Sequence, residues 1–214
     1  MHTKIKVIGE KGKMGSKVVS LLQKNSNFSL ADSLENADVV IDFSSPIALK
    51  SNLLQVLKHK KPFVVGTTGH SPENLEELKK ASDEIPILFS PNFSLGMAAC
   101  TEAVALISKL LKASYRVEII EKHHLHKKDK PSGTALALAH VTYDPKQTAI
   151  QSIREGEVVG EHRIIFSSDH ERIEIVHEAL ERETFAEGAL EASKFLADKT
   201  PGLYNLKELF DVHL

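Results

Sequence analysis

Ile5-Lys-Val-Ile8-Gly9-Glu-Lys-Gly12-Lys-Met-Gly15 is the stretch that decides the fold. A short β-branched run ending at Gly9 is a strand signal. From Lys13 to Lys24 the apolar residues Met14, Val18, Val19, Leu21 and Leu22 recur at helical spacing. A glycine-rich turn therefore joins a strand directly to a helix. Glycine permits positive φ and lets a phosphate approach the backbone, and unpaired N–H groups at a helix start attract anions. Asp32 follows 20 residues after Gly12, at the end of a second short strand, Phe28–Ala31. Dinucleotide folds place there the acid that accepts hydrogen bonds from the adenosine ribose. Gly9, Glu10, Lys11, Gly12, Lys13, Met14 and Asp32 are thus candidates for holding a dinucleotide; a plain tight turn is the other reading. Lys11 and Lys13 could reach a 2′-phosphate while Asp32 would repel one, so NADH and NADPH both stay open.

Outward from this turn, strand and helix alternate. Val39-Val-Ile-Asp-Phe43 is a continuous apolar run with one acid, as expected of a buried parallel strand. A helix follows from about Pro46 to Lys58, then a strand at Pro62–Val65, a helix at Pro72–Ser82 and a strand at Ile85–Phe89. That order implies βαβ units, and hence an α/β fold with an N-terminal Rossmann-like parallel sheet. Ligands of such sheets bind outside the carboxyl ends of the strands. Gly66, Thr67 and Thr68 after the fourth strand, and Ser90, Pro91, Asn92 and Phe93 after the fifth, fall at that edge and are cofactor candidates.

After Asn92 the pattern changes: a helix over Met97–Lys112, a strand over Tyr115–Lys122, a helix starting near Ser132, two strands in series at Glu161–Ser167 and Glu171–Glu178, and a helix over Phe185–Leu196. Strands joined by a tight turn suggest an antiparallel pair, which belongs to a different sheet type. The chain reads as a dinucleotide-binding domain, 1–93 completed by 183–214, and a smaller α+β substrate-binding domain, 94–182, with a hinge near Phe93-Ser94.

Composition narrows the class. The 214 residues are 42% apolar and 26% charged, ordinary for a folded protein, and the net charge of −2 gives no general attraction for nucleic acid or an anionic membrane. Cys100, the single cysteine, cannot form an intrachain disulfide and reads as a helix-packing thiol in a reducing compartment. The run Ile5–Gly9 is too short for the apolar core of a signal peptide, and no stretch approaches the roughly 18 apolar residues of a bilayer span. A soluble, cytoplasmic protein is expected.

A second stretch carries the chemistry: Glu121-Lys-His123-His124-Leu-His126-Lys127-Lys-Asp129-Lys-Pro-Ser132-Gly133-Thr134-Ala135-Leu-Ala. Three of the eleven histidines lie within four positions, flanked by four lysines, in a chain that is net acidic. Like charge crowded into one loop opposes folding unless an anion fills it. Ser132-Gly133-Thr134 immediately precedes a helical run, so its N–H and hydroxyl groups form an anion cradle. Two anion sites side by side suit a dicarboxylate. A solvated basic loop would explain the lysines but not the Ser-Gly-Thr helix start. A metal site on His123, His124 and His126 lacks a completing cysteine or carboxylate cluster, and His123 and His124 point to opposite faces of a strand. A nucleic-acid patch would want interleaved aromatics. No metal and no nucleic acid are expected.

Taken together, Gly-x-x-Gly-x-Met-Gly, Gly-Thr-Thr-Gly, Asn-Phe-Ser-x-Gly and Glu-x-His-His-x-His-Lys-x-Asp-x-Pro-Ser-Gly-Thr-Ala resemble the 4-hydroxy-tetrahydrodipicolinate reductase family, in matching order over nearly the whole chain. Arg154-Glu-Gly-Glu-Val-Val-Gly-Glu-His162 and Ala186-Glu-Gly-Ala189 resemble later segments of the same family. The resemblance implies an NAD(P)H-dependent oxidoreductase of lysine and diaminopimelate biosynthesis that acts on a cyclic dicarboxylate. It implies that His123 is a catalytic proton donor or acceptor and Lys127 the proton donor, that His124, Gly133 and Thr134 hold the substrate, and that the protein is a homotetramer. Many members have a longer segment between the second and third strands and a third glycine at the position of Lys11. Here the stretch between Thr142 and Ile153 is also short, so a trimmed inter-subunit sheet is expected. Two rivals remain: another two-lobed dehydrogenase of a small carboxylate, and a nucleotide-sensing relative without catalysis.

Overall fold

A computed structural model describes residues 2–210. Along the chain run β1 (Thr3–Ile8), α1 (Lys13–Lys24), β2 (Phe28–Leu30), β3 (Val39–Asp42), α2 (Leu49–Lys58), β4 (Phe63–Val65), α3 (Pro72–Ala81) and β5 (Pro86–Phe89). There follow α4 (Leu95–Leu111), β6 (Arg116–His123), α5 (Gly133–His140), β7 (Ala149–Arg154), β8 (Gly160–Ser167), β9 (Arg172–Ala179), α6 (Glu183–Leu196) and β10 (Gly202–Tyr204). The described residues divide into two units, one of residues 2–93 together with 183–210, the other Ser94–Arg182.

The first unit is built on a six-stranded sheet in the order β10-β5-β4-β3-β1-β2, with every pairing parallel. Parallel strands covered on both faces must be apolar throughout, and β3 and β4 are buried at every residue. On one face Val40, Phe63, Val65 and Ile87 pack with Leu49, Leu53 and Val56 of α2 and with Leu78 and Ala81 of α3. The alternate residues face the other way, where α6 lies against β3, β4 and β5 and beside α1. α3 starts on Pro72 with the Ser71 hydroxyl accepting from Asn74 N, a conventional N-cap.

Strand order here runs 2-1-3-4-5, so the direction of winding reverses between β1 and β3, the switch point at whose carboxyl edge open α/β sheets bind ligands. A third strand beyond β2, found in many dinucleotide folds, has no room in residues 31–38, which pass directly to β3. Two expectations are corrected. The helix expected from Pro46 opens as a 3-10 turn over Pro46–Ala48 before α2 begins. β2 ends at Leu30, one residue earlier than expected, so Asp32 lies two residues beyond it instead of directly at its end.

The second unit pairs a four-stranded mixed sheet, β7-β6-β8-β9, with α4 and α5. β6 runs parallel to β7 and antiparallel to β8, and β8 antiparallel to β9. Met97 and Val104 of α4 and Ala135, Leu138 and Ala139 of α5 bury Ile119, Ile164 and Phe166 on one sheet face. Cys100 packs at the border of that core, where burial pushes its thiol up. The opposite face carries Ile120, Arg163 and Val176 in register across β6, β8 and β9. The segment between Thr142 and Ile153, short as it is, still supplies most of strand β7.

Candidate active site

The first unit gathers its candidate residues on the carboxyl edge of the sheet. Gly9 adopts φ +82°, and its carbonyl accepts from Gly12 N at 2.9 Å, which closes the turn. Gly15 is buried because a Cβ there would sit 2.1 Å from Gly9 O. α1 starts at Lys13 with no side-chain cap and no acid in its first turn, so neither competes for the anion-attracting N–H groups of its start. Glu10, Lys11, Gly12 and Lys13 are exposed on that turn and Met14 is half-buried. Asp32 is exposed, and a hydrogen bond from Asn36 Nδ2 (2.9 Å) holds its carboxyl below the usual range.

Gly66, Thr67 and Thr68 follow β4, and the Thr67 hydroxyl meets His70 Nε2 at 2.8 Å. Ser90, Pro91, Asn92 and Phe93 follow β5, where the Ser90 hydroxyl donates to Asn92 O at 2.6 Å. One residue to which the sequence assigns no role links these loops. The Phe43 backbone lies against Gly9 so closely that a Cβ on Gly9 would fall 2.8 Å from Phe43 C. The Phe43 ring fills the space over Gly66, where a Cβ would be 2.2 Å from Cε1, and it meets Phe93 edge-on at 5.9 Å. Its position just past the buried strand Val39–Asp42 was the available signal.

In the second unit the histidine-rich stretch resolves into a buried network. Glu121 and His123 lie two apart on β6 and share a face, since side chains alternate along a strand. Glu121 is 0% exposed, and its Oε2 accepts from His123 Nδ1 at 2.5 Å. Arg154, paired with His123 in the β6–β7 register, donates to both Glu121 oxygens at 2.9 Å. Ser132 N donates to Glu121 Oε1 at 3.3 Å, and the Ser132 hydroxyl caps α5 by accepting from Ala135 N at 3.1 Å. His162, opposite Glu121 on β8, places Nε2 3.3 Å from the same hydroxyl. Glu121, Arg154 and His162 have no role in the sequence reading. Period two on β6 could have picked out Glu121; the other two arrive only through register.

Electrostatics follow from burial. Loss of solvent pushes the Glu121 carboxyl up, but bonds from Arg154, Ser152 and His123 outweigh it and leave it below the usual range. Burial lowers His123 against the pull of Glu121, so the ring is neutral near pH 7, with Nδ1–H on the carboxylate and a lone pair on Nε2. Burial and then the neighbouring His123 take His162 down to about 3.

Lys127 sits on the loop between β6 and α5, with Nζ 2.8 Å from Asp129 Oδ2. The positive charge of this stretch is therefore answered partly by protein acids: Asp129 here, and Glu155 and Glu161 around Lys122. His124 is half-buried, its backbone N–H bonded to Val158 O at 2.8 Å. Gly133 and Thr134 form the first turn of α5. His123, Lys127 and Ser132 thus converge on one network, whereas His124 and the α5 start adjoin it through the chain. Among the described residues no group of three or more His, Cys, Asp or Glu side chains is arranged to hold a metal. A neutral imidazole beside a lysine ammonium and a helix start can accept a proton, return one and receive an anion.

Residues 96–210 match the family described as dihydrodipicolinate reductase, C-terminus, and residues 29–93 match its N-terminus. A 4-hydroxy-tetrahydrodipicolinate reductase of Alkaliphilus oremlandii is 40% identical over 96% of this chain and 98% of its own length. One of Sulfurimonas denitrificans is 35% identical over 98% of this chain and 99% of its own. The solved structure of a dipicolinate-bound dihydrodipicolinate reductase from Paenisporosarcina sp. TG-14 superposes with a TM-score of 0.78, at 21% identity, over 97% of this chain and 99% of that one. A probable dehydrogenase from Thermotoga maritima gives 0.69 at 10% identity, over 96% of this chain and 92% of that one.

Proposed function

The chain belongs to the dihydrodipicolinate reductase family, and from that premise we infer that it reduces 4-hydroxy-tetrahydrodipicolinate to tetrahydrodipicolinate with a nicotinamide cofactor, a step of lysine and diaminopimelate biosynthesis. The observation that carries the reading is the single network joining Glu121, His123 and Ser132 beside the Lys127 ammonium.

The glycine turn fits the cofactor's pyrophosphate: a Cβ at Gly12 would stand 3.2 Å from Gly9 O and fill the turn's mouth, and the α1 N–H groups have no acid or side-chain cap. Gly9 to Met14 would hold the pyrophosphate, Asp32 the ribose, and Gly66 to Thr68 with Ser90 to Phe93 the remainder. Lys11 and Lys13 suit a 2′-phosphate and Asp32 a 2′-hydroxyl, so both NADH and NADPH serve. When bound, the reduced nicotinamide supplies a hydride. This chain's own residues handle protons and orientation. The α5 start, with Gly133 and Thr134, and the His124 side chain bind the carboxylates and fix the ring for reaction. His123 accepts a ring C–H proton at Nε2 and returns it to the departing 4-hydroxyl, which leaves as water, and Lys127 donates one proton to the carbon beside the reduced centre. In total one hydride and one proton enter and one water leaves.

Residues up to Phe93 with those from Glu183 onward form the dinucleotide-binding domain in this reading, and Ser94–Arg182 the substrate-binding domain. The sheet face of Ile120, Arg163 and Val176, with Val176 50% exposed, suits a homotetramer assembled face to face in the cytosol. The test is oxidation of NADH and NADPH, followed at 340 nm, with substrate generated by a coupled synthase. Turnover with either supports the reading; binding of nicotinamide without turnover would leave a sensor. Lys127→Ala should lower kcat by roughly 10²–10⁴-fold, the usual worth of a positioned acid, and near wild-type rates would remove Lys127 from the chemistry.

A further inference from the structure

Arg154 spends every donor of its guanidinium on groups around the proposed proton-transfer residues. Nη1 donates to Glu121 Oε2 (2.9 Å) and Ile153 O (2.7 Å), Nη2 to Glu121 Oε1 (2.9 Å) and Asp129 O (2.5 Å), and Nε to Lys127 O (3.4 Å). Glu121 is equally saturated. Its Oε2 accepts from Arg154 and His123, its Oε1 from Arg154 and Ser132 N, and the Ser152 side chain bonds the carboxylate as well. A buried ion pair with all partners satisfied adds little net stability over apolar residues of the same volume, because desolvation offsets the attraction. What such a network does supply is fixed geometry. This one fixes two things at once: the face and tautomer of the His123 ring, and the backbone from which Lys127 projects.

We propose that Glu121 and Arg154 are positioning residues of the reductase reaction. Glu121 holds the His123 proton on Nδ1 and so reserves Nε2 for the substrate, while Arg154 ties the carbonyls of Lys127 and Asp129 to the same carboxylate. The two proton-transfer groups are thereby held in one frame. The proposal rests on the reading of His123 and Lys127 given above. Gly160 belongs to the same arrangement, since a Cβ there would stand 3.1 Å from His123 Nε2 and crowd the reserved nitrogen.

Glu121→Gln makes the separating experiment. An amide nitrogen must replace one carboxylate oxygen, and each oxygen faces an Arg154 N–H. At the Oε1 place it would also confront Ser132 N–H, which cannot reverse. At the Oε2 place it confronts His123, whose ring can shift its proton to Nε2. The variant should therefore move His123 toward the Nε2–H tautomer. Long-range ¹H–¹⁵N spectra of histidine-labelled full-length protein read this directly, with the His123 signals identified by their loss in His123→Gln. kcat should fall roughly 10²–10⁴-fold, as when a catalytic histidine is held in the wrong tautomer, with KM for the dicarboxylate changed less than about threefold. Arg154→Lys keeps a charge opposite Glu121 but has fewer donors. It should preserve the Nδ1–H tautomer and lower kcat roughly 10–10²-fold through misplacement of Lys127.

A Glu121→Gln protein with the wild-type tautomer, or with kcat within twofold of wild type, overturns the proposal. So does a variant that loses only thermal stability. Should Glu121→Gln not fold, Glu121→Asp retracts the carboxylate while keeping its charge; a fall in kcat supports the proposal and an unchanged kcat defeats it. A wild-type chain that turns over neither nicotinamide would remove the functional reading and the kinetic half of this one. The spectra would still decide whether Glu121 sets the tautomer.

Discussion

Replacing Gly15 with alanine tests the cofactor turn at its tightest point. The added Cβ would lie 2.1 Å from Gly9 O, 2.7 Å from Gly9 C and 2.9 Å from Glu10 Cα, all of them backbone atoms that no rotamer change can move. The first distance is more than about 1 Å short of an ordinary non-bonded separation. Either α1 shifts away from the sheet, or the turn opens and strains the Gly12 N to Gly9 O bond of 2.9 Å. Overpacking of this kind costs about 1–3 kcal/mol. If α1 shifts, the cost appears as stability, roughly 2–4 °C in Tm per kcal/mol for a chain of this size. If the turn opens, it appears as nucleotide affinity, about tenfold in Kd for each 1.4 kcal/mol. Gly15→Ala should therefore show a lowered Tm, a raised Kd for NADH and NADPH in fluorescence titration, or both, summing to about 1–3 kcal/mol. Binding of pyridine-2,6-dicarboxylate to the nucleotide-free protein should not change, because its candidate residues lie in the other unit. Wild-type Tm together with wild-type Kd would refute the reasoning.

Acid should destabilise the second unit through His162, which is 2% exposed and held at about 3 against an ordinary 6.5. Its folded-state value is depressed, so the stabilisation is complete above pH 6.5 and is lost as pH falls toward 3. Between pH 7 and pH 4.5 the loss is of order 2–3 kcal/mol, and His162→Gln should flatten that part of the urea-denaturation profile. A pH dependence identical to wild type in the variant would show that other groups carry the acid response. Gly160→Ala brings a methyl 3.1 Å from His123 Nε2 while Glu121 prevents the ring from yielding. It should lower kcat at least tenfold with Tm nearly unchanged, the order expected for a misplaced proton acceptor; full activity would mean that Nε2 is not the working nitrogen.

Legibility of the fold in the sequence followed the range of the forces that build each element. Val39-Val-Ile-Asp42 and Phe63-Val-Val65 announce themselves because a strand buried on both faces reads as a nearly continuous apolar run, with Asp42 the one acid. Ala149–Arg154 and Gly202–Tyr204 do not, since edge strands take their shape from a neighbour far along the chain and carry polar or glycine residues. At the site, His123, Lys127 and Ser132 stand out within one short stretch. Arg154 lies 33 residues beyond Glu121 and reaches it through the β6–β7 register, which no local pattern specifies. Lys127 and Lys122 in that stretch look uncompensated in the linear sequence, yet Asp129 pairs with the first and Glu155 and Glu161 with the second.

β10, the last strand made, pairs with β5, which is finished before the whole of Ser94–Arg182 is begun. During translation, then, the guest unit is available to fold while its host still waits for an edge. Ribosomal stalling after Arg182 would deprive β5 of β10 while leaving it paired to β4, so that Ile87 and Leu88 sit on an open border of the sheet, the kind that recruits other chains. A late stop codon should thus be felt as aggregation through a strand near the middle of the polypeptide.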